Sequence, residues 1–285
     1  MGIKVTKMQG CGNDFVIIDF DEFLKLDMKI TDAAKMLCDR HFGVGADGLI
    51  IPNTSCEEAD IGWFFYNSDG STAQMCGNGM RCFAKYAYDN KLVDKKMFSV
   101  KTLAGIIKPE ILDDGFVRVN MSQPILEPEK IPFIPHHNLN YKISVKNMIF
   151  DGNAISMGNP HFVIFVSPEN DVMEFAKEYG PIIETSAEFP EKTNVEFVKI
   201  KSFKKIELAV WERGCGITLA CGTGACASVV AGILNGYIEN SVEVQLPGGV
   251  VNVVWNGAPN KPNGDVFLSG PAEYVFEAEL TNNEA

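Results

Sequence analysis

Met75-Cys76-Gly77-Asn78-Gly79 and Ala220-Cys221-Gly222-Thr223-Gly224 lie 145 residues apart and state one short phrase twice. Each opens a run with the period of a helix. Asn67 stands nine residues before Cys76, as Glu212 stands nine before Cys221. A second echo supports the first: Gly12-Asn13-Asp14-Phe15-Val16-Ile17 returns as Gly158-Asn159-Pro160-His161-Phe162-Val163-Ile164, offset by 146 residues. The two offsets differ by a single residue, so both fit one tandem duplication with a small insertion. A chain of 285 residues then divides most simply into two domains. We expect them at 1–121, with a returning C-terminal segment 269–285, and at 122–268. The proline-rich passage from Pro124 to Pro135 breaks both regular periods and marks the crossing.

Working outward, alternation of apolar and polar residues predicts strands at 3–8, 15–20, 61–66, 97–102, 105–111 and 116–121. Helices are expected from Thr31-Asp32 through Cys38, started by Thr and Asp capping chemistry, and over 79–90. The second half repeats the mixture. Strands are expected at 141–145, 147–151, 161–166, 194–201, 205–211, 242–246, 250–255, 265–269 and 271–280, with helices at 172–179 and 224–235. The fold class is therefore α+β, built as two pseudo-symmetric mixed α/β domains. Gly43-Val44-Gly45-Ala46-Asp47-Gly48 matches a dinucleotide-binding pattern, but it follows a helix and precedes the apolar Leu49-Ile50-Ile51. That is the reverse of the strand-to-helix context such a site requires, so it reads as a glycine turn.

A net charge of -12 and the lack of a clustered basic face argue against nucleic acid as a partner. No apolar run reaches the roughly 18 residues of a membrane span, and the first residues lack a signal peptide's apolar centre. A cytoplasmic address is the default expectation. Eight cysteines without an export signal are expected to stay reduced. None forms a CxxC pair, and the spacings of Cys76 with Cys82 and Cys221 with Cys226 match no zinc motif, so no metal is expected.

A cysteine before Gly-x-Gly at a helix start meets free backbone N–H groups and the positive end of the helix dipole, which favour negative charge. One such site suits a nucleophile or a redox sensor. Two suit acid–base work at one carbon, where a thiolate takes a proton from one face and a thiol returns one to the other. Helix-start amides would hold a substrate carboxylate and spread the charge that builds in the reaction. That chemistry requires no cofactor, and no lysine stands in a pyridoxal-type setting.

Cys76-Gly77-Asn78-Gly79-x-Arg81-Cys82, taken with Glu212-Arg213-Gly214 and Ala220-Cys221-Gly222-Thr223-Gly224-Ala225-Cys226, resembles the diaminopimelate epimerases. These cofactor-independent enzymes interconvert LL- and meso-diaminopimelate. The resemblance extends from Gly10-Cys11-Gly12-Asn13-Asp14-Phe15 through Met157-Gly158-Asn159-Pro160-His161 to Gly270-Pro271-Ala272. It implies an active site in the cleft between the domains, closure around the substrate, a homodimer, and a place in lysine and peptidoglycan precursor synthesis. It implies Cys76 and Cys221 as the two catalytic bases. Gly77, Asn78, Gly222 and Thr223 would surround the reacting carboxylate and amine. Asn13, Asn67, Asn159, Asn194, Glu212 and Arg213 would bind substrate, chiefly its distant amino-acid end, and His161 would orient groups near the thiols. Single-centre racemases of the same fold, and a non-enzymatic thiol protein, are the competing readings. Two positions depart from the family pattern: many members carry glutamine at Gly48 and glutamate at Ile217.

Overall fold

The computed structural model describes residues 2–73 and 75–281. Two compact units emerge, Met1–Val119 together with Gly270–Ala285, and Asn120–Ser269. In the first, a seven-stranded sheet runs in the order Glu273–Leu280, Ile3–Gly10, Asn13–Ile17, Gly48–Asn53, Ile61–Asn67, Val100–Thr102, Gly105–Ile107. Neighbours are antiparallel except at Asn13–Ile17 with Gly48–Asn53 and at Ile61–Asn67 with Val100–Thr102. Helices α1 (Phe20–Leu24) and α2 (Ile30–Cys38) connect the first parallel pair, and α3 (Gly77–Asp89) connects the second. Parallel neighbours require such a crossover, because a tight turn only returns a chain antiparallel. Ile3, Val5, Val16, Ile18, Leu37, Leu49 and Ile51 interlock as an apolar core under α2.

The second unit repeats this plan. Met148–Ser156, Pro160–Val166, Asn194–Ser202, Lys205–Glu212, Ser241–Leu246 and Gly249–Trp255 are consecutive neighbours in its sheet. The parallel pairs are here the second with the third and the fourth with the fifth, the counterparts of Asn13–Ile17 with Gly48–Asn53 and of Ile61–Asn67 with Val100–Thr102. Helix α4 (Val172–Glu184) spans the first pair and α5 (Gly222–Leu234) the second. Strand order, parallel pairs and helix placement thus match element for element, which is how the tandem duplication shows in three dimensions. Phe150, Phe162, Phe197, Tyr179 and Ile183 fill the core between this sheet and α4.

Local differences from expectation have physical reasons. Residues 15–20 do not continue as one strand, because the chain turns at Asp19 and α1 begins at Phe20 with Asp21 and Glu22 in its first turn. Helix α2 starts at Ile30 with Lys29 at its N-cap and no side-chain cap, so the Thr and Asp capping expected at residues 31 and 32 is absent. The strand expected over 105–111 splits into Gly105–Ile107 and Glu110–Ile111 around Pro109, which has no N–H to give a ladder. Helix α4 runs to Glu184, past Gly180-Pro181, beyond the expected end at residue 179. Its start is fixed by Asp171, whose carboxylate accepts the N–H groups of Met173 and Glu174 at 2.8 and 3.0 Å. At Gly180 a Cβ would lie 2.5 Å from Trp211 Cβ, so the helix continues because glycine lets it press against that strand.

Candidate active site

Both signature cysteines are N-cap residues. Cys76 has an extended backbone (φ -138°, ψ 122°) and its Sγ accepts the N–H of Gly79 at 3.5 Å. Cys221 is extended as well (φ -120°, ψ 108°), with its Sγ accepting the N–H of Gly224 at 3.4 Å. Sulfur thus fills the place where Ser, Thr or Asp oxygen usually caps a helix. Each sulfur lies at the positive end of a 13-residue helix, where negative charge is stabilised.

In the first unit, Cys76 is half-buried and its thiol donates to Asn13 Oδ1 at 3.6 Å. The same oxygen accepts Asn78 Nδ2 at 3.1 Å. Asn13 is held from its other end, where Nδ2 donates to Asp47 Oδ2 at 2.6 Å. Arg40 ties Asp47 to Asp14, at 2.8 Å on each, and Lys7 reaches Asp14 at 2.9 Å. Burial works to raise the Asp14 carboxyl, but hydrogen bonds from Arg40 and Lys7 outweigh it and hold the group below the usual carboxylate range. Beneath this cluster Arg81 is fully buried, donating from Nη1 to Asn78 Oδ1 at 2.9 Å and from Nε to the carbonyl of Pro271 at 3.1 Å. Asn67 ends its strand, exposed, with Nδ2 on Ser71 Oγ at 3.0 Å. The next residue, Ser68, donates its N–H to the carbonyl of Asp47 at 3.1 Å. Asn67 therefore stands one residue from the loop that anchors Asn13.

In the second unit, Cys221 is only 5% exposed. Its Sγ lies 3.6 Å from Thr223 Oγ1, and Thr223 accepts Asn159 Nδ2 at 3.4 Å. Asn159 Oδ1 faces His161 Nε2 at 3.0 Å, while His161 Nδ1 faces Glu196 Oε1 at 2.7 Å. Glu212 accepts a short hydrogen bond from Thr218 Oγ1. Burial raises the Glu212 carboxyl above its ordinary value, against the opposing pull of Thr218 and His161. Burial, then the charges of Glu212 and Glu196, push the Cys221 thiol well up. Asn194 is buried and bonds two ways, from Nδ2 to the carbonyl of Pro160 at 2.8 Å and through Oδ1 to the backbone N–H of Arg213 at 2.9 Å. The Arg213 guanidinium is exposed and donates to the carbonyl of Glu191 at 3.2 Å, leaving most of its donors toward solvent. Every residue singled out from the sequence therefore belongs to one of two clusters. Cys76, Gly77, Asn78, Asn13 and Asn67 form the first. Cys221, Gly222, Thr223, Asn159, His161, Asn194, Glu212 and Arg213 form the second.

The sequence profile for diaminopimelate epimerase matches residues 5–127 and again 153–275. The chain belongs to the diaminopimelate epimerase family. Diaminopimelate epimerase from Halothermothrix orenii is 45% identical over 294 residues, covering all of both chains. The enzyme from Carboxydothermus hydrogenoformans is 48% identical, covering 97% of this chain and 99% of its own. Among solved structures, a hydroxyproline epimerase from Agrobacterium vitis superposes with a TM-score of 0.67 over 99% of this chain and 93% of its own, at 11% identity. At that identity the likeness speaks to the two-domain fold alone. Membership of the diaminopimelate epimerase family makes the protein an isomerase of the racemase and epimerase class. Among the described residues no helix is long and apolar enough to cross a membrane.

The family's two departures have a local explanation here. A Cβ on Gly48 would meet Phe65 Cε2 at 2.8 Å and the carbonyl of Tyr66 at 2.9 Å, so no side chain fits in that strand without displacing the ring. Ile217 packs against the apolar core of the second unit and pairs with Trp211 across a short ladder, an environment that a glutamate would have to leave. Sequence reasoning passed over Arg81 and Glu196 as site residues. Arg81 stands three and four residues after Asn78 and Gly77, on the same face of α3. Glu196 follows Asn194 by two in a strand whose first five residues are buried, so both point to one side of the sheet. A charge at such a position is the signal that was available.

Proposed function

We propose that this member of the family interconverts LL- and meso-diaminopimelate through two-base chemistry shared by Cys76 and Cys221. The observation that carries it is the matched cap geometry: each sulfur accepts the N3 amide of its own helix, at 3.5 and 3.4 Å. One thiolate withdraws the α-proton while the other thiol delivers a proton to the opposite face, and the product has inverted configuration. Cys221 rests as the thiol, since burial and two neighbouring carboxyls oppose its ionisation. The helix-start residues Gly77, Asn78, Gly222 and Thr223, in the first turns of α3 and α5, suit the α-carboxylate and the charge that spreads onto it during proton transfer. Arg213 supplies a fork for the distal carboxylate, and Glu212 with Asn67, Asn159 and Asn194 supplies acceptors for an ammonium. Asn13 serves through the oxygen it shares between Cys76 and Asn78. The product would feed lysine and peptidoglycan precursors.

The test is incubation of the full chain with LL-diaminopimelate in heavy water without added cofactor. Formation of meso product with deuterium at one α-carbon is expected, and proline or hydroxyproline should remain unlabelled. Labelling of a single-centre amino acid in preference to diaminopimelate would overturn the substrate assignment.

We also propose that the protein is a homodimer paired through the strand Glu273–Leu280. This strand ends the sheet of the first unit, and Tyr274, Val275 and Phe276 are exposed on it. A long exposed edge with apolar side chains is a template for pairing with another chain. Sedimentation velocity should give a dimer for the wild type and a monomer for Phe276→Glu. A variant that stays dimeric removes this edge from the interface.

A further inference from the structure

We infer that Glu196 is a positioning residue whose carboxylate fixes the orientation of the His161 ring beneath the start of the Cys221 helix. Glu196 and His161 are both fully buried, and Oε1 lies 2.7 Å from Nδ1. The other carboxylate oxygen, Oε2, is buried without a hydrogen-bond partner. A carboxylate in such surroundings is costly unless it is paired, and the partner the structure gives it is the imidazole. The second ring nitrogen, Nε2, faces another acceptor, Asn159 Oδ1, at 3.0 Å. The ring is thus held from both edges, and its contact with Glu196 sets which way it faces.

The pair is coupled to the sulfur by two routes. Asn159 passes the orientation of the ring to Thr223 at 3.4 Å, and Thr223 Oγ1 is 3.6 Å from Cys221 Sγ. The direct route runs through Gly224, the residue whose N–H caps the sulfur. A Cβ there would lie 2.8 Å from Glu196 Oε1 and 3.2 Å from Cys221 Sγ, so the carboxylate abuts the helix start at a place only glycine leaves open. The titratable groups gathered here are Glu196 from the strand Asn194–Ser202, Glu212 from Lys205–Glu212, His161 from Pro160–Val166 and Cys221 itself. Glu196 keeps the ring aimed at Asn159 and, through Asn159 and Thr223, at the helix start. This assignment deepens the two-cysteine reading above and, in its kinetic part, rests on it.

The test uses the isosteric Glu196→Gln in the full chain. Long-range ¹⁵N–¹H spectra should show the His161 Nδ1 resonance shifted in the variant relative to the wild type, with the resonance identified by its loss in His161→Gln. In epimerisation of diaminopimelate, kcat should fall about tenfold or more while KM stays within about threefold, the pattern of an interaction felt mainly in the transition state. Because Glu196 acts through the ring, Glu196→Gln combined with His161→Gln should be no slower than His161→Gln alone. An unchanged ring signature in Glu196→Gln or additive losses in the double variant would each overturn the assignment. If Glu196→Gln does not fold, Glu196→Asp keeps the charge but retracts it by one methylene and should shift the same resonance. Should the wild type leave diaminopimelate untouched, the functional reading fails, and the spectra alone decide the role of Glu196.

Discussion

Cys76→Ser and Cys221→Ser are each expected to lower kcat for diaminopimelate epimerisation by about 10²–10⁴-fold, the range that a positioned acid or base contributes, and to leave the melting temperature unchanged or slightly raised. The second half of that expectation follows from the cap geometry. Each sulfur accepts the N–H of the third helical residue, and serine oxygen is a better acceptor for the same bond. The helices α3 and α5 therefore keep their starts, and a loss of rate reports on chemistry rather than folding. A hydroxyl, unlike a thiol, cannot ionise near neutral pH, so neither variant can cycle between acid and base. The two variants should differ in alkylation. With Cys221 held protonated by burial and by Glu212 and Glu196, iodoacetamide at neutral pH should modify Cys76 in the Cys221→Ser protein faster than Cys221 in the Cys76→Ser protein. Full turnover by either serine variant would remove that residue from the reaction.

The duplication was legible because it is written in glycine, asparagine and cysteine, residues whose positions depend on backbone geometry rather than on apolar bulk. The Cys-Gly-x-Gly phrases located both helix starts, and the echo from Gly12 to Ile17 located the matching strands Asn13–Ile17 and Pro160–Val166. The parallel pairing across each helix was not read from the sequence, although a helix between two strands leaves a parallel neighbour as the simplest return. What stayed hidden depends on contacts far apart in the chain. Glu196 lies in a strand that also carries Lys199 and Lys201, and its partner His161, 35 residues away, is brought to it only by parallel pairing. Helix α4 reads as ending before Gly180-Pro181, because the packing against Trp211 that carries it onward comes from a strand 30 residues later. The missing caps of α1 and α2 show the same limit: tertiary burial of Phe23, Leu37 and Cys38 holds helices whose starts have no side-chain acceptor.

The charge asymmetry between the halves leads to the second large effect, which concerns Arg81. Its place in α3, five residues after Cys76, is taken in α5 by Cys226, five after Cys221. The first half-site therefore rests on a buried cation and the second on buried carboxyls. Among the described contacts, the Arg81 guanidinium meets the carbonyl of Pro271, the amide oxygen of Asn78 and, at 4.0 Å, the sulfur of Cys11. Its positive charge is thus directed at neutral acceptors and remains available to the anions that collect at the α3 start. Arg81→Met keeps much of the volume but leaves two buried oxygens without donors, each costing about 1–3 kcal/mol. A destabilisation of about 2–4 kcal/mol is expected, read as a shift in the urea midpoint of the first unit's transition. The Pro271 bond ties the returning segment to α3, so amide exchange should rise along Glu273–Leu280 as well as in α3. The catalytic loss should exceed what stability explains. Asn78 loses its anchor and with it the placement of Nδ2 on the Asn13 oxygen that Cys76 also meets, and kcat/KM is expected to fall at least tenfold under conditions where the variant is fully folded. Arg81→Lys should recover part of the stability but less of the rate, because a single ammonium cannot meet both oxygens in the fixed geometry of a guanidinium fork. A folded Arg81→Met protein with wild-type kcat/KM would show that the buried cation serves the fold alone.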